Sequence, residues 1–149
     1  MRLQLGLNVK NLDEAIDFYS KMFDTAPAKV KPGYANFAID SPPLKLVLFE
    51  AHGAHPEASD DEVFHHLNHL GVETESAGQV TSAETRLTAT GLETTGVQDT
   101  QCCFAEKTET WVSSPEGARW EWYVKNADSE QFENVVLETA GGSGNTCCS

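Results

Sequence analysis

Basic residues are scarce in this chain: 10 Lys and Arg stand against 23 Asp and Glu, leaving a formal net charge of −13. Such a surface repels phosphate backbones and anionic lipid, so nucleic acid and membrane are excluded as expected partners. Nowhere is there a run of about 18 apolar residues, so no membrane-spanning helix is expected. The opening Met1-Arg2-Leu3-Gln4-Leu5 enters a patterned segment at once and lacks the basic region, apolar stretch and cleavage site of a secretory leader. Cysteine occurs only as two adjacent pairs, Cys102-Cys103 and Cys147-Cys148. A cytoplasmic address with reduced thiols fits that usage. Cross-links are not needed for stability either, because a chain of 149 residues buries roughly 68–70% of its unfolded surface.

What is present is a pattern that occurs twice. Leu3, Leu5, Leu7 and Val9 share one face of a strand, while Gln4, Gly6 and Asn8 share the other. Asn11 can cap a helix with Asp13 and Glu14 in its first turn, where negative charge suits the helix dipole. Leu12, Ile16, Tyr19 and Phe23, adjoining Ala15 and Phe18, form the apolar stripe of that helix. Strands are expected at 28–31, 34–39 and 44–49, punctuated by Pro32-Gly33 and Pro42-Pro43. Residues 51–63 carry no period and read as a loop. Then His69-Leu70-Gly71-Val72-Glu73 repeats the register of Gln4-Leu5-Gly6-Leu7-Asn8. A helix over 79–90 follows, with strands at 93–98, 103–106 together with 109–113, and 119–125. The order βαβββ therefore occurs twice, an internal repeat. The expected organisation is one domain, 1–125, built of modules 1–50 and 64–125. A flexible tail, 126–149, would carry the second Cys pair and a short helix around 131–137.

In the last strand Trp120, Trp122 and Val124 point one way, which sends Glu121 to the opposite face beside Tyr123. A carboxylate among aromatics is costly without a charge partner or a metal. Gln4 lies on the polar face of the first strand, and His69 occupies the matching strand of the second half. Each has an ordinary alternative: Glu121 as a solvated carboxylate, Gln4 as a polar face residue, His69 as a structural histidine. Together, one imidazole, one carboxylate and one amide oxygen suit a divalent first-row metal, much as a facial triad does. The rival pair His65 and His69 would stand about 13–14 Å apart on a strand, too far for one ion. Lys45 is taken as the first-half counterpart of Glu121, so no fourth ligand is expected.

Cys102-Cys103 is the most distinctive feature. Neighbouring Cα atoms are about 3.8 Å apart, below the roughly 4.4–6.8 Å of an unstrained disulfide. Two close soft thiols can clamp one soft electrophilic centre. Adjacent side chains diverge within a regular strand, so acting together requires a loop or a strand end. The alternative is two unrelated thiols, one buried and one exposed.

These residues resemble a known family. Phe18-Tyr19-Ser20-Lys21, Pro32-Gly33-Tyr34-Ala35-Asn36-Phe37-Ala38-Ile39, Pro42-Pro43-Leu44-Lys45-Leu46-Val47-Leu48, His69-Leu70-Gly71-Val72-Glu73, Cys102-Cys103 and Trp111-Val112 resemble the arsenic-resistance C–As lyases (ArsI type) and their cadmium-induced relatives. These belong to the glyoxalase/bleomycin-resistance/dioxygenase superfamily. The resemblance implies an α+β, vicinal oxygen chelate fold in which two βαβββ modules form a half-open barrel. It implies Fe(II) held by Gln4, His69 and Glu121, a trivalent organoarsenical held by Cys102 and Cys103, and O₂ as co-substrate for carbon–arsenic cleavage. A homodimer is left open. The family lysine close before Trp-Val is displaced here, so Lys107 is assigned no catalytic role. Thiol-based sequestration of arsenicals or cadmium without turnover is the alternative function; a glyoxalase-type isomerase is weaker because Lys45 offers no ligand.

Overall fold

The computed structural model describes residues 1–51 and 65–137. Nearly all of the expected 51–63 loop, and the tail from 138 with Cys147 and Cys148, lie outside the described residues. The chain divides into two compact units, Arg2–His69 and a second that runs from Leu70 and includes Met1.

The first unit contains β1 (Arg2–Val9), α1 (Leu12–Phe23), β2 (Lys29–Lys31), β3 (Tyr34–Ile39), β4 (Leu44–Glu50) and the first three residues of β5 (Leu67–Glu73). β1 runs parallel to β4, and the β2–β3–β4 meander is antiparallel. Helix α1 begins where the Asn11 side chain accepts the Glu14 amide, 3.1 Å away. It stops at Asp24, whose φ of 47° is left-handed. Its stripe of Leu12, Ala15, Ile16, Tyr19 and Phe23 packs on Ala35, Phe37, Ile39, Leu46 and Leu48, joined by Leu5, Leu7 and Val9 from β1. Burying each large side chain contributes about 1.5–3 kcal/mol, which makes this layer the anchor of β1. Phe18, expected beside the stripe, is instead 58% exposed. The polar face of β1 is thereby turned away from the helix.

The second unit repeats the order with α2 (Ala77–Ala89), β6 (Gln98–Cys102), β7 (Ala105–Ser113), β8 (Arg119–Asp128) and β9 (Val135–Val136). Its strands run in the order β5-β8-β7-β6-β9. Here β5 and β8 are parallel and the remaining pairs antiparallel. The doubled βαβββ order expected from the repeat is thus present, as an α+β protein. Ser76 caps α2, which starts two residues earlier than the periodicity suggested. Glu84 ties the helix to the sheet, accepting hydroxyls from Thr94 and Thr110 at 2.6 Å each. Among the described residues no helix is long and apolar enough to cross a membrane.

Three sequence expectations are corrected in this unit. Residues 93–97 form no strand beyond one bridge between Thr94 and Val112, and the strand lies at 98–102; Gly96, with φ of 74°, turns the chain between them. The segments 103–106 and 109–113 are one strand from Ala105, with a register irregularity between Glu106 and Lys107. Residues 131–137, expected as a short helix, instead supply β9, whose Val135 and Val136 pair with Gln101 and Thr100. β6 otherwise presents an open edge of backbone donors and acceptors, and a β-branched pair suits that edge.

Candidate functional site

Gln4 and His69 meet in the first unit. Both are buried, and Gln4 Nε2 lies 2.9 Å from His69 Nε2. The other ring nitrogen, Nδ1, sits 2.7 Å from Asn68 Oδ1. An acceptor there fixes the proton on Nδ1 and leaves the Nε2 lone pair toward Gln4. Asn68 is itself oriented, donating to Asn8 Oδ1 at 2.9 Å, while Asn8 donates to the His65 carbonyl at 2.9 Å. These contacts, with the Asn8 amide on the His66 carbonyl at 2.8 Å, explain why the start of β5 belongs to the first unit. An imidazole with its lone pair set and a carboxamide beside it, whose oxygen enters by a half-turn of the amide plane, fit two positions of a divalent metal site. His65 lies outside this pair and is exposed.

The register corrects one equivalence. β1 pairs Gly6 with Val47 on β4, whereas β5 pairs Gly71 with Glu121 on β8. Gly6 and Gly71 being counterparts in the repeat, Glu121 corresponds to Val47 rather than to Lys45. Val47 is buried and apolar, so the matching position of the first half offers no ligand at all.

Glu121 lies in the second unit and is fully buried, on the face that also carries Lys107, Glu109, Trp111 and Tyr123. Arg86 of α2 lies over Trp122 instead, 5.4 Å from the ring centre, marking the opposite face. Lys107 Nζ is 2.5 Å from Glu121 Oε1 and 3.0 Å from Glu109 Oε2, and stands 5.4 Å over the Tyr123 ring. Trp111 Nε1 donates to Glu109 at 3.0 Å. Burial alone would lower the lysine, but the charges of Glu121 and Glu109 outweigh it and hold Lys107 above its ordinary range. Burial pushes Glu109 up to about 6; Lys107 opposes that rise, and the Glu121 charge adds to it. Lys107 thus bridges the two buried carboxylates.

Lys107, assigned no catalytic role from the sequence, and Glu109, not singled out there, share this face because β7 runs unbroken through 107–108, where the sequence reading places a gap. Continuous alternation from Ala105 would have put Lys107, Glu109 and Trp111 on the Glu121 face.

The Cys pair lies at the β6–β7 hairpin. Cys102 ends β6 and pairs with Ala105. Cys103 and Phe104 form the two-residue turn, with φ of 54° and 60°, the signs of a type I′ turn. That reversal overcomes the divergence of adjacent strand residues and brings the sulfurs to 2.9 Å. Cys102 and Trp111 form one small buried cluster, with Cys103 packed against it. A cavity of about 310 Å³ opens beside this cluster, lined in part by Gln98, Glu109, Trp111 and Arg119. Thr100 lies on the same face, in register with Lys107, and its buried hydroxyl has no hydrogen-bond partner among the described residues.

Comparison with known proteins identifies the family and the fold. The Glyoxalase/Bleomycin resistance protein/Dioxygenase superfamily matches residues 3–122. A trivalent organoarsenical cleaving enzyme from Thermomonospora curvata is 50% identical over 129 residues, 87% of this chain and 80% of that protein. The cadmium-induced protein CadI of Mycobacterium tuberculosis is 48% identical over 149 residues, 99% of this chain and 92% of that protein. Among solved structures, methylmalonyl-CoA epimerase from Mycobacterium tuberculosis shares the fold with a TM-score of 0.57 at 15% identity, covering 81% of this chain and 85% of that one.

Proposed function

The chain belongs to the Glyoxalase/Bleomycin resistance protein/Dioxygenase superfamily, and on that premise we propose that it cleaves the carbon–arsenic bond of trivalent organoarsenicals such as methylarsonous acid in an Fe(II)- and O₂-dependent reaction. The observation that carries this reading is the Cys102–Cys103 turn, whose sulfurs converge beside Trp111 in the unit that buries Glu121. The relatives named as organoarsenical cleaving enzymes support it, at identities from 30% to 50%.

Gln4 and His69 would offer an amide oxygen and an imidazole nitrogen to the metal, and Glu121 a carboxylate. Fe(II), when bound, would supply the redox chemistry by which O₂ oxidises carbon. The thiols exchange for the arsenic hydroxyls and release water, which fixes the orientation of the carbon substituent. Trp111 forms an apolar wall against Cys102 and, through its indole N–H, keeps Glu109 in place for Lys107. Lys107 in turn pairs with the Glu121 carboxylate and orients it. For a methyl substituent the stoichiometry closes on methylarsonous acid plus O₂ giving arsenite plus formaldehyde. Carbon loses four electrons, O₂ gains four, and arsenic stays trivalent, so no external reductant is needed.

The second reading is sequestration of arsenicals or cadmium by the same thiols, favoured by the likeness to a cadmium-induced protein. Oxygen uptake by anaerobically iron-loaded protein mixed with methylarsonous acid separates the two. Uptake matched by arsenite release is expected; tight binding without uptake would replace cleavage by sequestration.

A further inference from the structure

We infer that the segment Ser129–Phe132 is a positioning strap that holds the two sulfurs of Cys102 and Cys103 in the geometry needed to grip one arsenic atom, with Phe132 its anchor. The inference rests on the thiol-capture reading above. A type I′ turn favours glycine, because both central residues need positive φ. Here the two positions hold Cys103 and Phe104, at 54° and 60°. Left-handed backbone at residues with a Cβ persists only where the surroundings over-determine it.

The surroundings do so from one side. The Cys103 N–H donates to the Phe132 carbonyl at 3.0 Å, the Phe104 N–H to the Gln131 carbonyl at 2.8 Å, and the Ser129 N–H to the Phe104 carbonyl at 3.0 Å. The Phe104 and Phe132 rings pack at 5.6 Å between centres. The strap is a compact turn of its own, since the Gln131 N–H donates to Ser129 Oγ at 3.0 Å. Beyond it, β9 lies along Thr100 and Gln101, just before the pair. Both backbone donors of the strained turn are thus committed to this one segment. Its effect on chelation would pass through the turn.

The test uses the reduced full-length protein and phenylarsine oxide as the probe. Phe132→Ala removes the ring contact, and Phe132→Leu keeps an apolar anchor. Expected for Phe132→Ala is at least about tenfold weaker binding of the probe, from lost simultaneous engagement of the two thiols. Alkylation of the thiols by a monofunctional reagent should be no slower, and Phe132→Leu should recover most of the affinity. Wild-type affinity in a folded Phe132→Ala protein would overturn the strap. Failure of the unaltered protein to bind the probe would instead overturn thiol capture itself. Should Phe132→Ala not fold, amide exchange of the unaltered protein decides: protected Cys103 and Phe104 amides support the strap, and exchange at the rate of an open turn overturns it.

Discussion

Gly6→Ala should damage the Gln4–His69 pair more than any loss of backbone freedom could explain. A Cβ built on Gly6 would lie 2.9 Å from both Cε1 and Nδ1 of His69 and 3.3 Å from Nε2. Carbon atoms prefer about 3.5–4.0 Å, so the ring must retreat by more than half an ångström. It has little room, being 3% exposed, bonded at both nitrogens, and faced by Phe49 at 5.9 Å between ring centres. Overpacking of this kind costs about 1–3 kcal/mol, and loss of one ring hydrogen bond adds about 0.5–1.5 kcal/mol. The expected destabilisation is therefore about 1.5–4.5 kcal/mol by urea unfolding. Affinity for Fe(II) or a Mn(II) surrogate, measured anaerobically by calorimetry, should fall about 10–100-fold because the imidazole can no longer hold its direction. Gly78→Ala is the control: its Cβ would meet only Ser76 Oγ, at 3.8 Å, and should be neutral or slightly stabilising. If Gly6→Ala unfolds and binds metal like the unaltered protein, the ring does not lie over Gly6 and the reasoning fails.

Lys107→Met strips the cation from two buried carboxylates and should cost about 3–5 kcal/mol in metal-free protein; a loss below about 1 kcal/mol by chemical denaturation would deny the ion network its weight. Glu109→Gln bears on pH. A folded-state value raised to about 6 means the folded protein holds the extra proton, so stability falls as pH rises from the ordinary carboxylate range through about 6; the variant should flatten that slope, and an unchanged slope would reassign it. Thr100→Val removes a buried hydroxyl without a partner among the described residues and should raise stability by about 1 kcal/mol or more in thermal unfolding, with a decrease showing that the hydroxyl is satisfied. Cys102→Ser and Cys103→Ser should each abolish turnover of a trivalent organoarsenical while leaving iron titration nearly unchanged, because iron takes N and O donors and arsenic takes thiolate; loss of iron would make a sulfur a metal ligand.

The parts legible in the sequence were those written in short period. Alternation in β1 separated Leu5 and Leu7, which pack under α1, from Gln4 and Gly6, and the repeat carried that face to His69. Alternation in β8 likewise set Glu121 and Tyr123 against Trp120 and Trp122. What failed was wherever pairing overrode local pattern. The strand 105–113 is rich in Thr, Glu and Lys, so period-2 hydrophobicity is absent and the segment was cut in two. Lys107 and Glu109 are buried because they pair with each other and with Glu121 of β8, a property of the face and not of any single residue. The Lys45 equivalence fails for a related reason: it rests on element order, whereas the parallel registers of β1 with β4 and β5 with β8 are fixed by backbone pairing between strands distant in the chain.

The turn at Cys103–Phe104 shows the same limit from the other side. Its sequence has none of the Asn-Gly or Gly-Gly chemistry that announces a type I′ hairpin, and the strand assignment accordingly ran through it. The turn is stable because residues 129–132 supply the carbonyls its amides need, and those residues read locally as a polar tail. A glycine at either position would relieve the backbone, yet glycine at 103 would remove a sulfur, and glycine at 104 would remove the ring that packs on Phe132. Strain at a site whose relief would delete the functional groups, offset by contacts from a distant segment, is the pattern expected where geometry is selected over local stability. The chemistry of the pair therefore depends on backbone about thirty residues downstream, and any account of thiol capture that stops at the two cysteines leaves out what aims them.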